Sequence, residues 1–460
     1  MMRTRFAPSP TGFMHIGNLR SALFGYLLAR RMGGVFALRI EDTDQERLVE
    51  GAVEKIYETL KIAGITHDEG PDVGGDYGPY IQSQRENVYM KYAQQLLDGG
   101  HAYRCFCHKE ADPAQCDCKN VDTDATKPHV IRQMIPTGQT TFVDEVFGEI
   151  TVDNTELEDQ ILIKSDGFPT YNFANVVDDH LMKITHVMRG SEYLPSTPKY
   201  NLLYKAFGWE VPTYVHLPLI LSVDGGKLSK RRGDAFFEDF LEAGFLPEAI
   251  VNYIALLGWS PPENREIYSL KELEQIFSVK CLSKSPATFD LDKLKWMNGE
   301  YLKAMDMGDF LPLALPYIDK LAAGDVDKQA LAALVKDRIS TLAEIPEILD
   351  FVACLPKYST QIFVNKKNKV DEALAKDMLV KILPEIEGLT DWTAEVISAT
   401  IKTFAEACGV KNAVVLWPLR CALSGKEASP GGATDLLMLF GRDESVSRIK
   451  TAITKLQLEG

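Results

Sequence analysis

Apolar and polar positions along the chain fall into two regimes. In the first, short apolar runs of strand length are separated by turn residues from stretches with helical spacing. Residues 3–7 read as a short strand. Pro8-Ser9-Pro10-Thr11-Gly12 must then be a turn, because each proline fixes its own φ and biases its predecessor away from helix. From Asn18 onward Leu19, Ala22, Leu23, Tyr26 and Leu27 recur at helix spacing, and Gly33-Gly34 ends the helix. Residues 35–40 follow as a buried strand, leading into the acidic turn Glu41-Asp42-Thr43-Asp44. Strand, turn, helix and strand in this order predict a βαβ unit with a right-handed crossover. Ligands of such sheets sit beyond the carboxyl ends of the strands, so the loops after Phe6 and Ile40 are on the binding edge.

The α/β signal returns at 184–188 and 214–221, two strand candidates around a helix predicted over 197–207. Between the two halves, residues 101–185 carry cysteine pairs, glycine turns and short β-like runs at 140–143 and 160–163, and read as an insertion. The second regime begins after Phe236. Pro247 sits where a first-turn proline belongs, ahead of Ile250, Ile254 and Leu257. Beyond Leu311 the pattern is almost wholly helical, with helices predicted over 330–343, 371–383, 393–408 and 434–440. No internal repeat or low-complexity tract is evident.

Composition adds bounds. The 460 residues suffice for two to four domains, and with 45% hydrophobic and 25% charged residues they describe an ordinary globular protein. The N-terminus has no apolar stretch of signal-peptide length, and no run approaches the roughly 18 residues of a membrane span. Eight cysteines are too few for a disulfide framework and point to a reducing cytoplasm. The net charge of −15 bears on solubility and steering and weakens a nucleic-acid reading only slightly, since an acidic protein can carry a local basic face.

Two motifs carry chemistry. Pro8-Ser9-Pro10-Thr11-Gly12-Phe13-Met14-His15-Ile16-Gly17-Asn18 ends a strand and opens a helix. Unpaired N–H groups at a helix N-terminus suit phosphate, Gly17 lets that backbone approach closely, and His15 can donate to a phosphate oxygen. Taken alone, the motif is equally a proline-rich turn with an N-capping Asn18 and a surface histidine. Gly225-Gly226-Lys227-Leu228-Ser229-Lys230-Arg231-Arg232 follows the last strand candidate, and its two lysines can embrace a triphosphate. It is not a P-loop, because Leu228 breaks that pattern. Its plain alternative is an exposed basic loop.

His-x-Gly-x in the first half of an α/β domain, with Lys-x-Ser-Lys after its last strand, resembles the class I aminoacyl-tRNA synthetases. Arg5 through Gly12, Arg39-Ile40-Glu41-Asp42-Thr43-Asp44, Tyr171 through Asp179, Ser196-Thr197-Pro198-Lys199 and Lys295-Trp296-Met297-Asn298 are similar to the glutamyl-tRNA synthetases in particular. The likeness is dense over residues 3–300 and thinner beyond, where Trp417-Pro418-Leu419-Arg420 and residues 436–442 still fit. Asn18 stands for the second histidine of the HIGH signature and Arg231 for the final serine of KMSKS, both familiar variants in that family.

The resemblance implies a Rossmann-like catalytic domain (1–100 and 186–235) with an inserted acceptor-end-binding domain (101–185). A stem-contact domain (236–310) and an all-α anticodon-binding domain (311–460) would follow. It implies that glutamate is activated with ATP and Mg²⁺ and transferred to tRNA-Glu, that activation requires bound tRNA, and that the enzyme is a monomer. His15, Lys227 and Lys230 would be catalytic. Ser9, Gly17, Asn18 and Tyr193 would join them at ATP. Arg5, Ser9, Glu41, Tyr171, Asn175 and Arg189 would line the glutamate pocket. Arg5 or Arg189 could clamp carboxylate oxygens, and Glu41 could meet the ammonium; in isolation Glu41 and Arg189 are equally ordinary strand-end ion-pair residues.

Cys105-Phe106-Cys107 and Cys116-Asp117-Cys118 could supply four thiolates to one tetrahedral Zn²⁺. Some glutamyl-tRNA synthetases carry a zinc knuckle that begins with Cys-x-Cys here, but their second ligand pair usually lies further downstream, so reduced thiols remain the alternative. A glutaminyl enzyme shares the fold; Arg189 favours glutamate. A truncated paralogue that modifies a tRNA base, or a pantothenate-synthetase-like ligase, would lack the helical C-terminal part. A non-catalytic paralogue would have lost His15 or Lys230.

Overall fold

The protein is described by a computed structural model that covers all residues except 108–117, 119–126, 227, 229–235, 322–325 and 459–460. It divides into two compact units, Met1–Leu241 with Pro247–Leu294, and Glu242–Leu246 with Lys295–Gly460.

The first unit is built around the expected βαβ element. Strand β1 (Arg3–Phe6), helix α1 (Ile16–Arg31) and strand β2 (Val35–Leu38) follow one another, and β1 pairs with β2 in parallel. The predicted apolar positions of α1 are buried, and so are Ile16, Phe24, Gly25, Leu28 and Ala29. Gly25 lets the helix lie close against β2, because a Cβ there would stand 3.3 Å from the Phe36 ring. The helix begins two residues before Asn18, and its N-cap is His15, not Asn18. It ends as expected at Gly33, whose φ of +59° is left-handed.

Helices α2 (Ala52–Ile62) and α3 (Glu86–Asp98) lead into the segment read as an insertion. Its strands β3 (Ala102–Cys105), β4 (Val130–Gln133) and β7 (Ile161–Ile163) form an antiparallel sheet of their own, in the order β3-β4-β7. Strands β5 (Gln139–Asp144) and β6 (Gly148–Asp153) make a hairpin that joins a different sheet, ordered β6-β5-β9-β8. There β8 (His186–Gly190) and β9 (Thr213–Leu217) run in parallel, and β5 meets β9 at Asp144 and Tyr214. Arg3 N–H donates to Thr185 Oγ1 at 2.9 Å and Thr185 N–H to Arg3 O at 3.0 Å, which sets β1 beside the start of β8. Helices α4 (Tyr171–Leu181) and α5 (Thr197–Phe207) pack Phe173, Val176, Val177, Tyr200 and Leu203 into one core with Tyr89 and Leu162.

Two strand expectations shift. The strand placed at 184–188 occupies His186–Gly190. The strand placed at 214–221 is two strands, β9 and β10 (Ile220–Ser222), in separate sheets, with β10 pairing to β11 (Ala287–Phe289). Pro218 breaks the run because it has no N–H for a ladder.

The second unit is helical: Met307–Ile318, Lys328–Val335, Glu372–Glu387, Ala394–Ala407, Asn412–Ser424 and Ala433–Leu458 are its longer helices. The helix predicted over 330–343 stops at Val335, and Ser340 N–H instead caps onto the Glu344 carboxylate at 2.9 Å. The last helix kinks at Gly441, where φ is +70°. The boundary between the units falls at 294/295, inside the helix Leu291–Ala304, earlier than the change of pattern at 311. Among the described residues no helix is long and apolar enough to cross a membrane.

Candidate active site

A cleft of about 390 Å³ opens in the first unit at the carboxyl ends of β1 and β8. At one end is the N-terminus of α1. His15 leaves β1's loop in extended conformation and caps the helix: its Nδ1 accepts the Gly17 N–H at 3.0 Å. A neutral imidazole that accepts at Nδ1 carries its proton at Nε2, so the second ring nitrogen is a donor. A side chain at Gly17 would press on this ring, since a Cβ would stand 3.1 Å from Nδ1. Ser9, Gly17, Asn18 and Tyr193 line the same cleft. Across it, the Ser222 N–H closes a turn onto Gly226 O at 2.8 Å. Leu228 reaches the cleft wall, whereas Lys227 and Lys230 lie outside the described residues.

The floor is a buried lattice of charges. Arg5 places Nε and Nη2 on the two oxygens of Asp179, at 3.0 and 3.2 Å. Arg39, fully buried, donates to Asp179 at 2.8 Å and to Glu41 Oε1 at 2.8 Å. Asp178 is held by Arg85 at 2.7 Å, Tyr89 at 2.8 Å and Gln82 at 2.9 Å. Three guanidinium groups thus meet three carboxylates. Burial alone would raise the Asp179 carboxyl, but Arg5 and Arg39 outweigh it and hold it below the ordinary range. At Glu41 burial wins over Arg39 and Arg5, and the carboxyl is pushed up. Its Oε2 is buried without a hydrogen-bond partner among the described residues.

The wall opposite is Arg189, 6% exposed at the end of β8. Its Nε donates to His216 Nε2 and its Nη2 to Thr197 Oγ1, each at 3.1 Å. Its guanidinium lies over the rings of Tyr193, Tyr200 and Tyr214 at 5.1, 4.6 and 5.6 Å. Among the described residues no carboxylate is paired with it. Burial pushes the Tyr171 hydroxyl well above its ordinary value, so it stays a protonated donor, 5.6 Å ring to ring from Tyr193.

The structure therefore brings Arg5, Ser9, His15, Gly17, Asn18, Tyr171, Arg189 and Tyr193 to one cleft. Asn175 and Glu41 are not on its lining. Asn175 is buried one helical turn behind Tyr171, donating to that residue's carbonyl at 2.8 Å, and Glu41 belongs to the floor. The sequence reading missed Arg20. It lines the cleft and donates to Leu257 O at 3.0 Å and to Pro218 O, while burial pushes its guanidinium down to about 10. A lone charge among the apolar positions of α1 was the available signal. It also missed His216, whose only signal was a polar residue inside an apolar strand.

The thiols of Cys105, Cys107 and Cys118 gather with their sulfurs within 4.8 Å of one another, Cys107 and Cys118 at 3.6 Å. Tetrahedral thiolates on Zn²⁺ are about 3.8 Å apart, given Zn–S bonds near 2.3 Å, so the spacing fits. Cys116 lies outside the described residues.

Comparison with known proteins agrees with this geometry. Residues 1–112 and 114–296 match the catalytic domain of the class I tRNA synthetases for glutamate and glutamine, and residues 295–453 match an anticodon binding domain. The two matches meet where the compact units do. A glutamate–tRNA ligase of Clostridium kluyveri is 53% identical, over 100% of this chain and 99% of its own. That of Clostridium tetani is 52% identical, over 100% and 98%. Among solved structures, a glutamate–tRNA ligase of Elizabethkingia meningosepticum in complex with its amino acid is 36% identical with a TM-score of 0.88, covering 99% of both chains. With catalytic and anticodon-binding parts both matched and the likeness running end to end, the chain belongs to the glutamate–tRNA ligase family of class I aminoacyl-tRNA synthetases.

Proposed function

We propose that the cleft is where the family's reaction, ATP-dependent attachment of L-glutamate to tRNA-Glu, takes place, with the substrate's side-chain carboxylate on Arg189 and its reacting end toward His15. The observation that carries this reading is Arg189: a buried guanidinium oriented by neutral groups and, among the described residues, matched by no carboxylate, in a cleft that ends at a helix N-terminus. A site of that kind attracts an anion of fixed length. The Nη1 group of Arg5, which Asp179 leaves unused, faces the same ligand. The unpartnered Oε2 of Glu41 is the acceptor for the substrate ammonium, and Asn175 supports Tyr171 from behind.

In the first step an α-carboxylate oxygen attacks the α-phosphorus of ATP, the bond to the β-phosphate breaks, and pyrophosphate leaves. Mg²⁺, bound with the nucleotide, withdraws charge from the departing group. The Nε2–H of His15 and the N–H groups of the α1 terminus bear on phosphate oxygens, where donors fixed in advance do most for the rate. Ser9, Gly17, Asn18 and Tyr193 frame the nucleotide. Lys227 and Lys230 are assigned to the phosphates by the family's motif. In the second step the terminal 2′-OH of tRNA attacks the acyl carbon, its proton is released, and AMP departs.

Residues 101–185 hold the acceptor end, 236–310 contact the stem, and the helical part from 311 reads the anticodon; glutamate activation requires bound tRNA. Cys105, Cys107 and Cys118, with Cys116 as the fourth thiolate, would hold one structural Zn²⁺. The enzyme acts as a cytoplasmic monomer.

The test is ATP–pyrophosphate exchange and charging with glutamate and glutamine, with and without tRNA. Expected is glutamate-dependent exchange that needs tRNA and weakens steeply with salt. Full-rate exchange without tRNA contradicts the coupling, and glutamine as the better substrate overturns the role of Arg189. Metal analysis of protein purified without chelator is expected to give one zinc per chain; none, with four titratable thiols, rejects the zinc site.

A further inference from the structure

Arg189 owes its orientation to residues behind it. Asp144, at the end of β5, and His216, in β9, are both fully buried side chains. The Asp144 Oδ2 accepts the His216 main-chain N–H at 3.0 Å and lies 2.7 Å from its Nδ1. The other oxygen accepts the Val146 and Phe147 N–H groups at 2.9 and 2.8 Å, so the β5–β6 turn fixes the carboxylate. A carboxylate on Nδ1 puts the imidazole proton there and leaves a lone pair on Nε2. That lone pair receives Arg189 Nε–H at 3.1 Å. Thr197 Oγ1 gives its own proton to Tyr193 O at 2.9 Å and accepts Arg189 Nη2–H. Two of the five guanidinium donors are thereby fixed, and the rest are left for the cleft.

We propose that Asp144 and His216 are positioning residues for amino-acid selection: Asp144 holds His216 as the neutral Nδ1–H tautomer, and His216 aims the Arg189 guanidinium at the substrate's side-chain carboxylate without cancelling its charge. The proposal rests on the reading of Arg189 given above. A carboxylate in the place of His216 would orient the guanidinium equally well but would neutralise it and compete with the substrate. The imidazole separates the two tasks. It orients directly, while the Asp144 charge, one ring further away, offsets part of the cost of burying Arg189.

The groups facing His216 are Asp144 from β5, Arg189 from β8, Glu192 from the turn after β8, Thr197 from α5 and the Tyr214 ring at 5.9 Å. Burial, together with the Arg189 charge, lowers the imidazole pKa against the opposing pull of Asp144, which agrees with the neutral form. A second proton would sit on Nε2, against the Arg189 N–H.

The experiment uses the full chain with tRNA and reads KM for glutamate, KM for ATP, kcat and the preference for glutamate over glutamine. His216→Leu removes the acceptor. Asp144→Asn puts an amide N–H₂ against either His216 or the Val146 and Phe147 N–H groups, and so disrupts the tautomer. Both are expected to raise KM for glutamate roughly 10- to 100-fold, as loss of an orienting partner typically does, to lower the preference over glutamine, and to leave KM for ATP unchanged. His216→Gln, whose amide oxygen can stand at the Nε2 position, is expected to recover most of the loss. A wild-type KM for glutamate in His216→Leu, or an equal rise in KM for ATP, overturns the proposal. If that variant does not fold, an unchanged glutamate KM in Asp144→Asn does so. Arg189→Gln separates the two levels. If it leaves KM for glutamate unchanged, the reading of Arg189 itself fails; if it raises it while the His216 and Asp144 variants do not, only the positioning role fails.

Discussion

Arg5 and Arg189 line the same cleft in opposite surroundings. Arg5 belongs to a floor in which Arg39, Arg85, Glu41, Asp178 and Asp179 balance charge for charge. Arg189 stands in a wall of hydroxyls, an imidazole and three tyrosine rings, with no counter-charge beside it among the described residues. A balanced lattice needs no ligand to neutralise it, and its first duty is to the fold: it ties β1, β2 and α4 together. An oriented but unbalanced charge is complete only when an anion arrives. Paired charge marks scaffold and unpaired charge marks recognition, although both are arginines at strand ends.

The largest expected effect tests the floor. Arg39→Met leaves Glu41 and Asp179 buried without their shared partner. Breaking a buried pair from one side costs about 3–5 kcal/mol, to be read as a fall in the denaturant midpoint. A loss below about 1 kcal/mol would mean that the lattice relaxes into solvent and that the contrast is false.

The wall comes next. Arg189→Gln is expected to raise KM for glutamate on the order of 10²- to 10³-fold, since a substrate carboxylate loses its charged fork. Its unfolding midpoint should change little, because among the described residues Arg189 is paired with no buried carboxylate. A variant that unfolds as Arg39→Met does would place Arg189 with the scaffold. At the phosphate end, Lys230→Ala should lower kcat on the order of 10²-fold by removing one donor that acts in the transition state. An unchanged kcat with only a raised KM for ATP would count against it.

The contrast also explains what could be read from the sequence. The βαβ element, α5 and the helical second unit follow from local periodicity, and the strand break at Pro218 was available in the missing N–H of proline. The helix stop at Val335 was not, because no proline or glycine marks it; the Lys336 and Arg338 N–H groups close the last turn onto Ala332 O and Val335 O. Arg5 and Arg189 were recognisable as a pair through resemblance, but not which of them was already committed. That depends on Asp179, 174 residues from Arg5 along the chain, and on Asp144, 72 residues from His216. Partners so distant carry no periodic signal. The motif assigns Asn175 to the pocket, and helix spacing of four residues puts it on the Tyr171 face one turn along; that its amide is taken up by the Tyr171 carbonyl is a tertiary detail no spacing shows.

The smallest effect separates floor and wall by pH. His216 has its pKa lowered by burial, against the opposing pull of Asp144. Between that depressed value and the unfolded value of about 6.5, the unfolded chain binds a proton that the folded chain refuses. Stability from the neutral wall is therefore fully present above about pH 6.5 and lost as pH falls toward the folded value, by at most about 1.4 kcal/mol per pH unit for each such group. His180 and His186 are lowered by burial as well and contribute to the same slope. The floor behaves differently. Asp179 is held below the ordinary range by Arg5 and Arg39, so its contribution is present above about pH 3.9 and lost only as pH falls below that. Glu41, pushed up by burial, opposes this: its carboxylate weakens the fold as pH rises through its raised value. Unfolding free energies of the wild type and His216→Gln between pH 7.5 and pH 5 isolate the wall, because the other histidines cancel in the difference. The wild-type curve should fall more steeply on acidification, with the two converging toward pH 5. Parallel curves would mean that His216 takes up its proton over the same pH range folded and unfolded, and that the fold does not hold the imidazole neutral beside Arg189.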